Sequence, residues 1–366
     1  MNIFHVLVCN LNIFFSRIYV KYFSSSSYCV HIGHGLLPHT GSMIAELGLS
    51  GKAAIISDSN VWPLYGELLN DSLSQAGFEC CHYVFKAGEP QKNGTTYLQI
   101  LNFLAENQLT RSDVLIALGG GVVGDMAGFA AATYLRGDRY VQIPTSLLAM
   151  VDSSVGGKTA IDLDAGKNLA GAFCQPSLVL CDPQVLDTLS EDVFRDGCAE
   201  VIKYAVLFDP DLFSHLKQFG MNFLREDVIT KCICHKRNIV CQDEFDKGQR
   251  QLLNLGHTIG HAIERCSNYH ISHGYAVAAG MKIIAKSCVS LENLSGDDYN
   301  AIISLLQEFD FPVFTEFTCE ELFYAACNDK KRSGDFLTMV LPHSIGKCTL
   351  KTIPLDILKT YIQAGL

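Results

Sequence analysis

The sequence has little charge, no cysteine pairs of the zinc-binding type and no long uninterrupted apolar run. Only 18% of its 366 residues are charged and 48% are hydrophobic, which excludes an intrinsically disordered chain and allows about two domains. Lys and Arg number 28 against 38 Asp and Glu, and the formal net charge of -10 disfavours nucleic acid or an anionic membrane as a partner. The composition therefore indicates a globular protein and favours neither of these partners.

The 15 cysteines form no Cys-x-x-Cys pair, which excludes the usual structural zinc site built from thiolates. Their number is odd and their spacing is irregular, as at Cys80 and Cys81 or at Cys232 and Cys234. In a chain of this length they are typical of small buried side chains in a reducing compartment, so we predict a cytoplasmic protein without a disulfide framework.

The N-terminal residues MNIFHVLVCNLNIFF have the apolar character of an export signal but not its other parts. No Lys or Arg precedes the apolar run, no small-residue cleavage site follows it, and asparagines interrupt it. We predict that residues 1–16 are an extension outside the fold and that the first strand begins near Arg17, at RIYVKYF. A cleaved export signal is the alternative.

From Gly51 onward, apolar strand-like runs alternate with helical segments, which predicts a Rossmann-like α/β domain. The run VLIAL at 114–118 is wholly apolar, as in a parallel strand covered on both faces. After Pro183, long segments with apolar residues at i, i+3 and i+4 predominate. We predict an α/β domain over 17–183 and a mainly α-helical domain over 184–366.

A glycine-rich turn, GGGVVGD at 119–125, follows the apolar run and leads into a helical segment. It contains GxGxxG between a strand and a helix, where backbone amides can bind the pyrophosphate of a dinucleotide. A tight turn without a ligand is the alternative, because the motif alone is a weak signal. Polar side chains stand near the ends of neighbouring strands: Asp58, Asn60, Glu89 and Lys92. The acidic ones can accept hydrogen bonds from ribose hydroxyls, and solvated loop residues are the alternative.

The segment IPTSLLAMVDSSVGGKTAIDLDAGKN gathers Asp152, Lys158, Lys167 and Asn168 around several glycines. Two ammonium groups beside glycine amides predict an anion-binding segment, although solvated surface charges are the alternative. Asp152 stands where the phosphate loop of nucleoside triphosphatases has its first glycine, so we exclude triphosphate binding.

Three histidines lie close together in the second half of the chain. His257 and His261 are four residues apart in LNLGHTIGHAIE, hence on one helical face, and His273 follows after a short loop. Thr258 occupies the position that a glutamate has in HExxH, which excludes the general base of a metalloprotease. The pattern predicts a metal site whose oxygen ligand comes from elsewhere.

Glu200, in the apolar helical segment CAEVIKYA, is the candidate oxygen ligand. An isolated buried carboxylate is costly, so this side chain must have a cationic partner. The alternative to a metal is an ion pair with Lys203, three residues later on the same helix. Two histidines and one glutamate with an open position are typical of a catalytic zinc site.

Taken together, the motifs resemble those of the 3-dehydroquinate synthase family. GGGVVGD, VDSSVGGKTA, GKN, AEVIKYA, LNLGHTIGHAIE and DKK occur in the order and spacing of that family, from about residue 58 to 358. The resemblance implies an N-terminal NAD-binding domain and a C-terminal helical domain with one divalent metal, zinc or cobalt. It also implies a shikimate-pathway reaction, from 3-deoxy-D-arabino-heptulosonate 7-phosphate to 3-dehydroquinate and phosphate. The implied steps are transient oxidation with NAD, phosphate elimination, re-reduction and internal aldol closure.

The resemblance also assigns roles to individual residues. The metal ligands are Glu200, His257 and His273. The NAD-binding residues are Asp58, Asn60, Glu89, Lys92, Gly120, Gly121, Val122, Asp125, Thr145, Ser146, Asp152, Lys167, Leu186 and Thr188. The substrate-binding residues are Arg136, Asp152, Lys158, Asn168, Lys203, Lys236, Arg250, Asn254, His261 and one of Lys330 and Lys331. Of these Lys158, Lys203 and His261, together with Asp246, are the catalytic candidates, and Arg136 implies a homodimer because its family counterpart reaches the neighbouring subunit.

The chain departs from the family pattern at a few positions. Asp246 replaces a glutamate, Phe245 an arginine, Tyr275 the glutamate of HGEAV and Ser146 a threonine. The shorter Asp246 puts its role as a base in doubt, and Tyr275 predicts different surroundings for His273. Another sugar phosphate cyclase and a metal-dependent polyol or glycerol dehydrogenase remain alternative functions.

Overall fold

The computed structural model describes residues 3–8, 13–21, 27–327, 332–333 and 335–366, and the chain forms two compact units. The first comprises Met1–Ser190 and Lys236–Phe245, and the second comprises Glu191–His235 and Asp246–Leu366. The sequence placed a domain boundary at residue 183, close to the end of the first segment at Ser190. The assignment of cofactor and metal binding to the two domains stays a prediction.

The first unit is built on strands that alternate with helices. Its strands are β1 Ile3–Val8, β2 Ile13–Lys21, β3 Ser27–Ile32, β4 Lys52–Asp58, β5 Glu79–Phe85, β6 Val114–Gly119, β7 Arg139–Pro144, β8 Lys158–Leu163, β9 Gly166–Phe173 and β10 Leu178–Cys181. Its helices are α1 Thr40–Ala45, α2 Trp62–Gln75, α3 Gly94–Glu106 and α4 Gly121–Thr133.

Eight of these strands form one sheet in the order β1-β2-β3-β10-β7-β6-β4-β5. The six strands from β3 to β5 run parallel, and β1 and β2 add an antiparallel edge. Every residue of β6 is buried, and on one face of the sheet its Leu115 and Ala117 share a hydrophobic cluster with Leu104 of α3 and Met126 of α4. Burying a side chain of this size contributes about 1.5–3 kcal/mol, which fixes the carboxyl end of β6 and the start of α4.

The sheet includes backbone that the sequence analysis had left outside the fold. Residues 3–8 pair with 13–18 and β2 pairs with β3, so the prediction that residues 1–16 are an extension outside the fold is wrong for 3–8 and 13–16. Both segments are rich in residues that favour strands, and an antiparallel edge needs only a short connection. A second difference is the hairpin of β8 and β9, which forms in the glycine-rich segment for which the sequence predicted no strand.

The second unit is mainly helical. Its helices are α5 Glu191–Phe208, α6 Pro210–Phe219, α7 Arg225–Gln242, α8 His257–Cys266, α9 His273–Leu291, α10 Gly296–Glu308, α11 Cys319–Cys327 and α12 Leu355–Gly365, with the last turns of α7 belonging to the first unit. Its strands, β11 Arg332–Ser333, β12 Phe336–Ser344 and β13 Lys347–Pro354, form a three-stranded sheet. The predicted class, an α/β domain followed by a mainly helical one, is confirmed. Over the part of the chain that the structure describes, no helix has both the length and the apolar character needed to cross a membrane.

Candidate active site

Three helices of the second unit bring Glu200, His257 and His273 together. Glu200 Oε1 lies 3.4 Å from His257 Nε2 and 3.3 Å from His273 Nε2. Two ligand atoms about 2.1 Å from a tetrahedral metal are about 3.4 Å apart, so this spacing fits one divalent cation. One ligand atom from each residue lies within 4.8 Å of the others, and the donor set of one carboxylate and two imidazoles is that of a catalytic zinc site.

The two oxygens of the Glu200 carboxylate contact different neighbours. Oε2 pairs with the ammonium of Lys203, one turn further along α5, and both side chains are only 1% exposed. Oε1 faces the two histidines. An ion pair with Lys203 and a role as metal ligand are the two alternatives for Glu200, and the geometry makes them compatible. The Lys203 ammonium offsets the cost of burying the carboxylate, and Oε1 faces the two histidines.

Glycines allow α8 and α9 to pack close enough for the histidines to meet. A Cβ on Gly280 would lie 2.1 Å from the carbonyl oxygen of Gly256, and a Cβ on Gly260 would lie 3.1 Å from that of Ala276. The two helices therefore touch backbone to backbone in an antiparallel arrangement. Gly256, the residue just before α8, has a φ of 77°, a conformation that favours glycine.

Neighbouring acceptors determine which histidine nitrogen faces the cluster. His257 Nδ1 is 3.0 Å from the carbonyl oxygen of Leu255, and a proton on this nitrogen leaves the lone pair of Nε2 for a metal. His273 Nδ1 is 3.7 Å from Oε2 of the buried Glu264. Burial lowers the pKa of His273, but Glu200 and Glu264 outweigh this effect and raise the pKa to about 10. A bound cation would take the place of that proton.

Other predicted residues of the second unit lie around or before α8. His261 is one turn after His257, with ring centroids 5.4 Å apart, and its side chain is 33% exposed. Arg250 is buried, and it lies with Asn254 on the short 3-10 turn that leads into α8. Asp246 precedes this turn in the left-handed region, at a φ of 58°. Lys330 and Lys331 lie outside the described residues.

Tyr275, which departs from the family pattern, belongs to the first turn of α9. Its hydroxyl accepts a hydrogen bond from Arg195 Nη1 at 3.3 Å, and its ring packs edge-on against Phe311 with centroids 5.3 Å apart. Arg195 also pairs with Glu191 at 2.5 Å. The tyrosine therefore links the starts of α5 and α9 through an arginine.

In the first unit, the predicted NAD-binding residues follow the carboxyl ends of neighbouring parallel strands. Asp58 ends β4, Glu89 and Lys92 follow β5, Gly120 to Asp125 follow β6, Thr145 and Ser146 follow β7, and Leu186 and Thr188 follow β10. Ligands of such sheets bind at this edge. The structure thus brings residues that are far apart in sequence to the carboxyl edge of the sheet.

The glycine turn after β6 is open to a ligand. Gly120 precedes α4 in an extended conformation, and the first amides of a helix have no intrahelical acceptor. A Cβ at Gly120 would lie 3.4 Å from the hydroxyl of Ser146, so a larger residue would narrow the turn. Backbone amides beside a small hydroxyl side chain fit the pyrophosphate of a dinucleotide.

Lys92 connects several of the predicted residues. Its Nζ donates to Asp125 Oδ2 at 2.6 Å and to Asn168 Oδ1 at 2.5 Å. Burial lowers the pKa of Lys92, but the carboxylates of Asp125, Glu89 and Asp162 together outweigh this effect, so the pKa is raised and the ammonium stays charged. Beside this network, Lys167 Nζ is 3.7 Å from Glu89 Oε1. These contacts hold the β8–β9 hairpin next to the start of α3.

Two aspartates among the predicted NAD-binding residues, Asp58 and Asp152, also make hydrogen bonds within the first unit. Lys236 Nζ lies 3.0 Å from Asp152 Oδ1 and 2.6 Å from the carbonyl oxygen of the same residue. Asp58 Oδ1 accepts the amides of Asn60 at 2.8 Å and of Val61 at 3.0 Å. Asp58 therefore shapes the turn from β4 into α2, and Asp152 and Lys236 form an ion pair.

The remaining predicted residues of the first unit lie on three different segments. Lys158 is exposed at the first position of β8. Thr188 Oγ1 is 2.7 Å from the hydroxyl of Tyr65, which ties the segment after β10 to α2. Arg136 follows α4 with a φ of 69°. The roles of all these residues remain predictions.

Two acidic residues near the cluster were given no role by the sequence analysis. Glu264 faces Nδ1 of His273, and Asp196 contacts the residues on both sides of His273. Asp196 is four residues before Glu200, so a helical repeat places it on the same face of α5. Glu264 likewise follows His257 and His261 in the helical repeat, and these spacings were the available signals.

The parallel sheet, the glycine turn at its carboxyl edge and the Glu and His cluster define a metalloenzyme of the nucleotide-binding α/β class. Family models described as 3-dehydroquinate synthase N-terminal and C-terminal match residues 82–196 and 197–332. The 3-dehydroquinate synthase of Clostridium acetobutylicum is 42% identical over 334 residues, which is 90% of this chain and 94% of that protein. The chain belongs to the 3-dehydroquinate synthase family.

Two solved structures of sugar phosphate cyclases share the whole fold. A 2-deoxy-scyllo-inosose synthase, complexed with carbaglucose-6-phosphate, NAD+ and Co2+, is 26% identical with a TM-score of 0.85, over 96% of this chain and 100% of that chain. A 2-epi-5-epi-valiolone synthase from Streptomyces hygroscopicus, with NAD+ and Zn2+ bound, is also 26% identical with a TM-score of 0.85. The match covers 94% of this chain and 98% of that chain. The predicted family is confirmed, and the fold is that of cyclases which bind a nicotinamide cofactor and a divalent metal.

Proposed function

We propose that this protein is a 3-dehydroquinate synthase, which converts 3-deoxy-D-arabino-heptulosonate 7-phosphate to 3-dehydroquinate and phosphate. The observation that carries the proposal is the convergence of Glu200, His257 and His273 in a chain of this family. We propose NAD and one divalent metal, zinc or cobalt, as cofactors. The two cyclase structures that carry NAD+ with Co2+ or Zn2+ support this choice.

The site residues divide by the chemistry that each side chain offers. When bound, the metal polarises substrate oxygens and NAD accepts and returns a hydride. Glu200, His257 and His273 hold the metal, and the amides after β6 hold the cofactor's pyrophosphate. His261, one third exposed beside the cluster, is placed to hold a proton of the substrate.

Cationic side chains provide for the substrate's phosphate and carboxylate. Lys158, Lys203, Lys236 and Arg250 are the candidates among the described residues, and charge-assisted hydrogen bonds from such groups are the strongest that an oxyanion can accept. The chain as a whole carries a formal net charge of -10, so these local cations must outweigh the global field. Asp246 remains the candidate base, with a reach one methylene shorter than a glutamate.

The direct test is phosphate release from the heptulosonate phosphate. We expect release that depends on NAD and stops with a chelator, and we expect zinc or cobalt to restore it. Because NAD is regenerated in each turnover, absorbance in the NADH band should not accumulate. Release that persists through chelation would contradict the proposal, and steady NADH formation from a polyol would favour a dehydrogenase instead.

A second candidate function is a sugar phosphate cyclase that makes a different ring. The TM-score of 0.85 to a 2-deoxy-scyllo-inosose synthase favours this alternative. The same assay with glucose 6-phosphate in place of the heptulosonate phosphate separates the two. Turnover of glucose 6-phosphate alone would select the alternative.

Replacing Lys158 by Ala tests the anion-binding assignment. Lys158 is exposed at the start of β8, so its loss should leave the fold intact. A hydrogen bond to a charged group contributes about 1.5–3 kcal/mol, so kcat/KM should fall about 10- to 100-fold while the affinity for NAD stays unchanged. Lys217→Ala, at an exposed position of α6, is the matched control. Equal kinetics in the two variants would remove Lys158 from the site.

We also propose a homodimer in the cytoplasm. Support comes from the family resemblance, since the family counterpart of Arg136 reaches the site of the neighbouring subunit. Light scattering of the purified protein gives the mass directly. A monomer at assay concentration would argue against a role for Arg136 in a neighbouring subunit.

A further inference from the structure

The start of α9 is capped by a residue of another helix. Asp196 Oδ1, on α5, accepts a hydrogen bond from Ser272 Oγ at 2.5 Å and another from the amide of Gly274 at 2.8 Å. Ser272 and Gly274 are the residues on either side of His273. A single carboxylate oxygen therefore holds the backbone before and after a candidate metal ligand.

This arrangement departs from ordinary helix capping. The hydroxyl of a serine at the N-cap normally accepts a hydrogen bond from a backbone amide in the first turn of the helix that it caps. Ser272 occupies the N-cap of α9, yet among the described residues its side chain caps no amide of that helix. Its hydroxyl donates to Asp196 instead, and the carboxylate accepts the Gly274 amide in its place. A negative charge at a helix N-terminus is favourable as well.

The contact also fixes the distance between the two helices. A Cβ on Gly274 would lie 2.0 Å from the carbonyl oxygen of Asp196, so the first turn of α9 rests directly on the backbone of α5. Glu200 follows Asp196 by four residues on the same face of α5. One turn of α5 therefore supplies a metal-binding carboxylate and the anchor for the helix that carries His273.

We infer that Asp196 is a positioning residue that holds His273 in register with Glu200 for metal binding. Metal ligands must be held to within about 0.5 Å, and groups that orient them typically change metal affinity 10- to 100-fold when removed. His273 Nε2 lies 3.3 Å from Glu200 Oε1, and a frayed first turn of α9 would lose that placement. The inference rests on the proposed metal site, but not on which reaction the site performs.

The experiment is a Co2+ titration of metal-free protein, followed by the visible absorption of the bound ion. For Asp196→Ala we expect a dissociation constant about 10- to 100-fold above that of the wild type. Asp196→Asn keeps an oxygen in the same place, so it should recover most of the affinity. Ser272→Ala removes one of the two contacts and should give an intermediate value, which keeps the test decisive if Asp196→Ala does not fold.

Ser295→Ala is the matched control. Ser295 caps α10 by accepting the amide of Asp298 at 3.0 Å, far in sequence from the cluster residues. Its replacement should lower the melting temperature without changing the affinity for Co2+. Wild-type affinity in Asp196→Ala and Ser272→Ala would overturn the inference. Failure of the wild-type protein to bind Co2+ would instead overturn the proposed function.

Discussion

Glu200→Gln is expected to abolish tight metal binding and to lower phosphate release by about a thousandfold, since metal polarisation contributes several kcal/mol to such a reaction. The substitution keeps the shape of the side chain but removes the charge that faces His257 and His273. It also deprives the buried Lys203 ammonium of the Glu200 carboxylate. Breaking a buried ion pair on one side costs about 3–5 kcal/mol, so the metal-free variant should unfold at lower denaturant concentration.

A double variant separates the two roles of this carboxylate. Replacing a buried ion pair by apolar groups of similar size is often neutral, so Glu200→Gln combined with Lys203→Met should recover much of the lost stability. Metal binding should stay lost, because the methionine restores no ligand. Unfolding is best followed by circular dichroism, since the single tryptophan, Trp62, lies in the first unit.

The result also decides between the two interpretations that the sequence left open. If Glu200→Gln binds Co2+ as tightly as the wild type, the carboxylate is only the partner of Lys203 and the metal assignment fails. If affinity is lost in both the single and the double variant, the ligand role holds independently of stability. Metal-free protein must be used for unfolding, because a ligand that binds only the folded state raises apparent stability.

Local sequence patterns predicted much of the first unit. The strand at 114–119 follows directly from the apolar run VLIAL, and the alternation of strand-like and helical segments after Gly51 predicted the α/β order. The β8–β9 hairpin was missed because Gly156 and Gly157 precede it and Gly166 interrupts it, so the segment has the composition of a loop. Its pairing, Lys158 opposite Phe173, is a property of the folded sheet rather than of either segment.

Some residues of the candidate metal site could be predicted from the sequence more readily than others. His257 and His261 share a helical face at short range, and Glu200 is conspicuous as a carboxylate in an apolar helix. The spacing of Asp196 from Glu200 places both on one face of α5, but it does not predict the cap, which depends on the contact of α5 with a helix that begins 77 residues later, at His273. Spacing within one helix can be read locally, whereas a cap supplied by another helix cannot.

Gly280→Ala is the second change for which we expect a large effect. The added methyl would lie 2.1 Å from the carbonyl oxygen of Gly256 and 2.9 Å from the amide nitrogen of Gly260. Both are backbone atoms, so no side chain can turn away and α8 and α9 must separate. Overpacking of this kind costs about 1–3 kcal/mol, and for a unit of this size the melting temperature should fall by about 3–10 °C.

Gly296→Ala is the control for this substitution. Gly296 is the first residue of α10, and no atom lies within 4 Å of the position that its Cβ would take. Alanine is the better helix former by about 1 kcal/mol, so this variant should be as stable as the wild type or more so. A similar loss of stability in both variants would show that the helix contact at Gly280 is not the cause.

Metal affinity then tells whether helix spacing or individual hydrogen bonds position the histidines. His257 begins α8 and His273 begins α9, with ring centroids 5.3 Å apart, so separation of the two helices should weaken Co2+ binding. Asp196 holds the start of α9 from α5, on the other side of His273. If Gly280→Ala loses stability but keeps its affinity for Co2+, the contacts to α5 alone are sufficient to place His273, and the close packing of α8 and α9 serves stability rather than the metal.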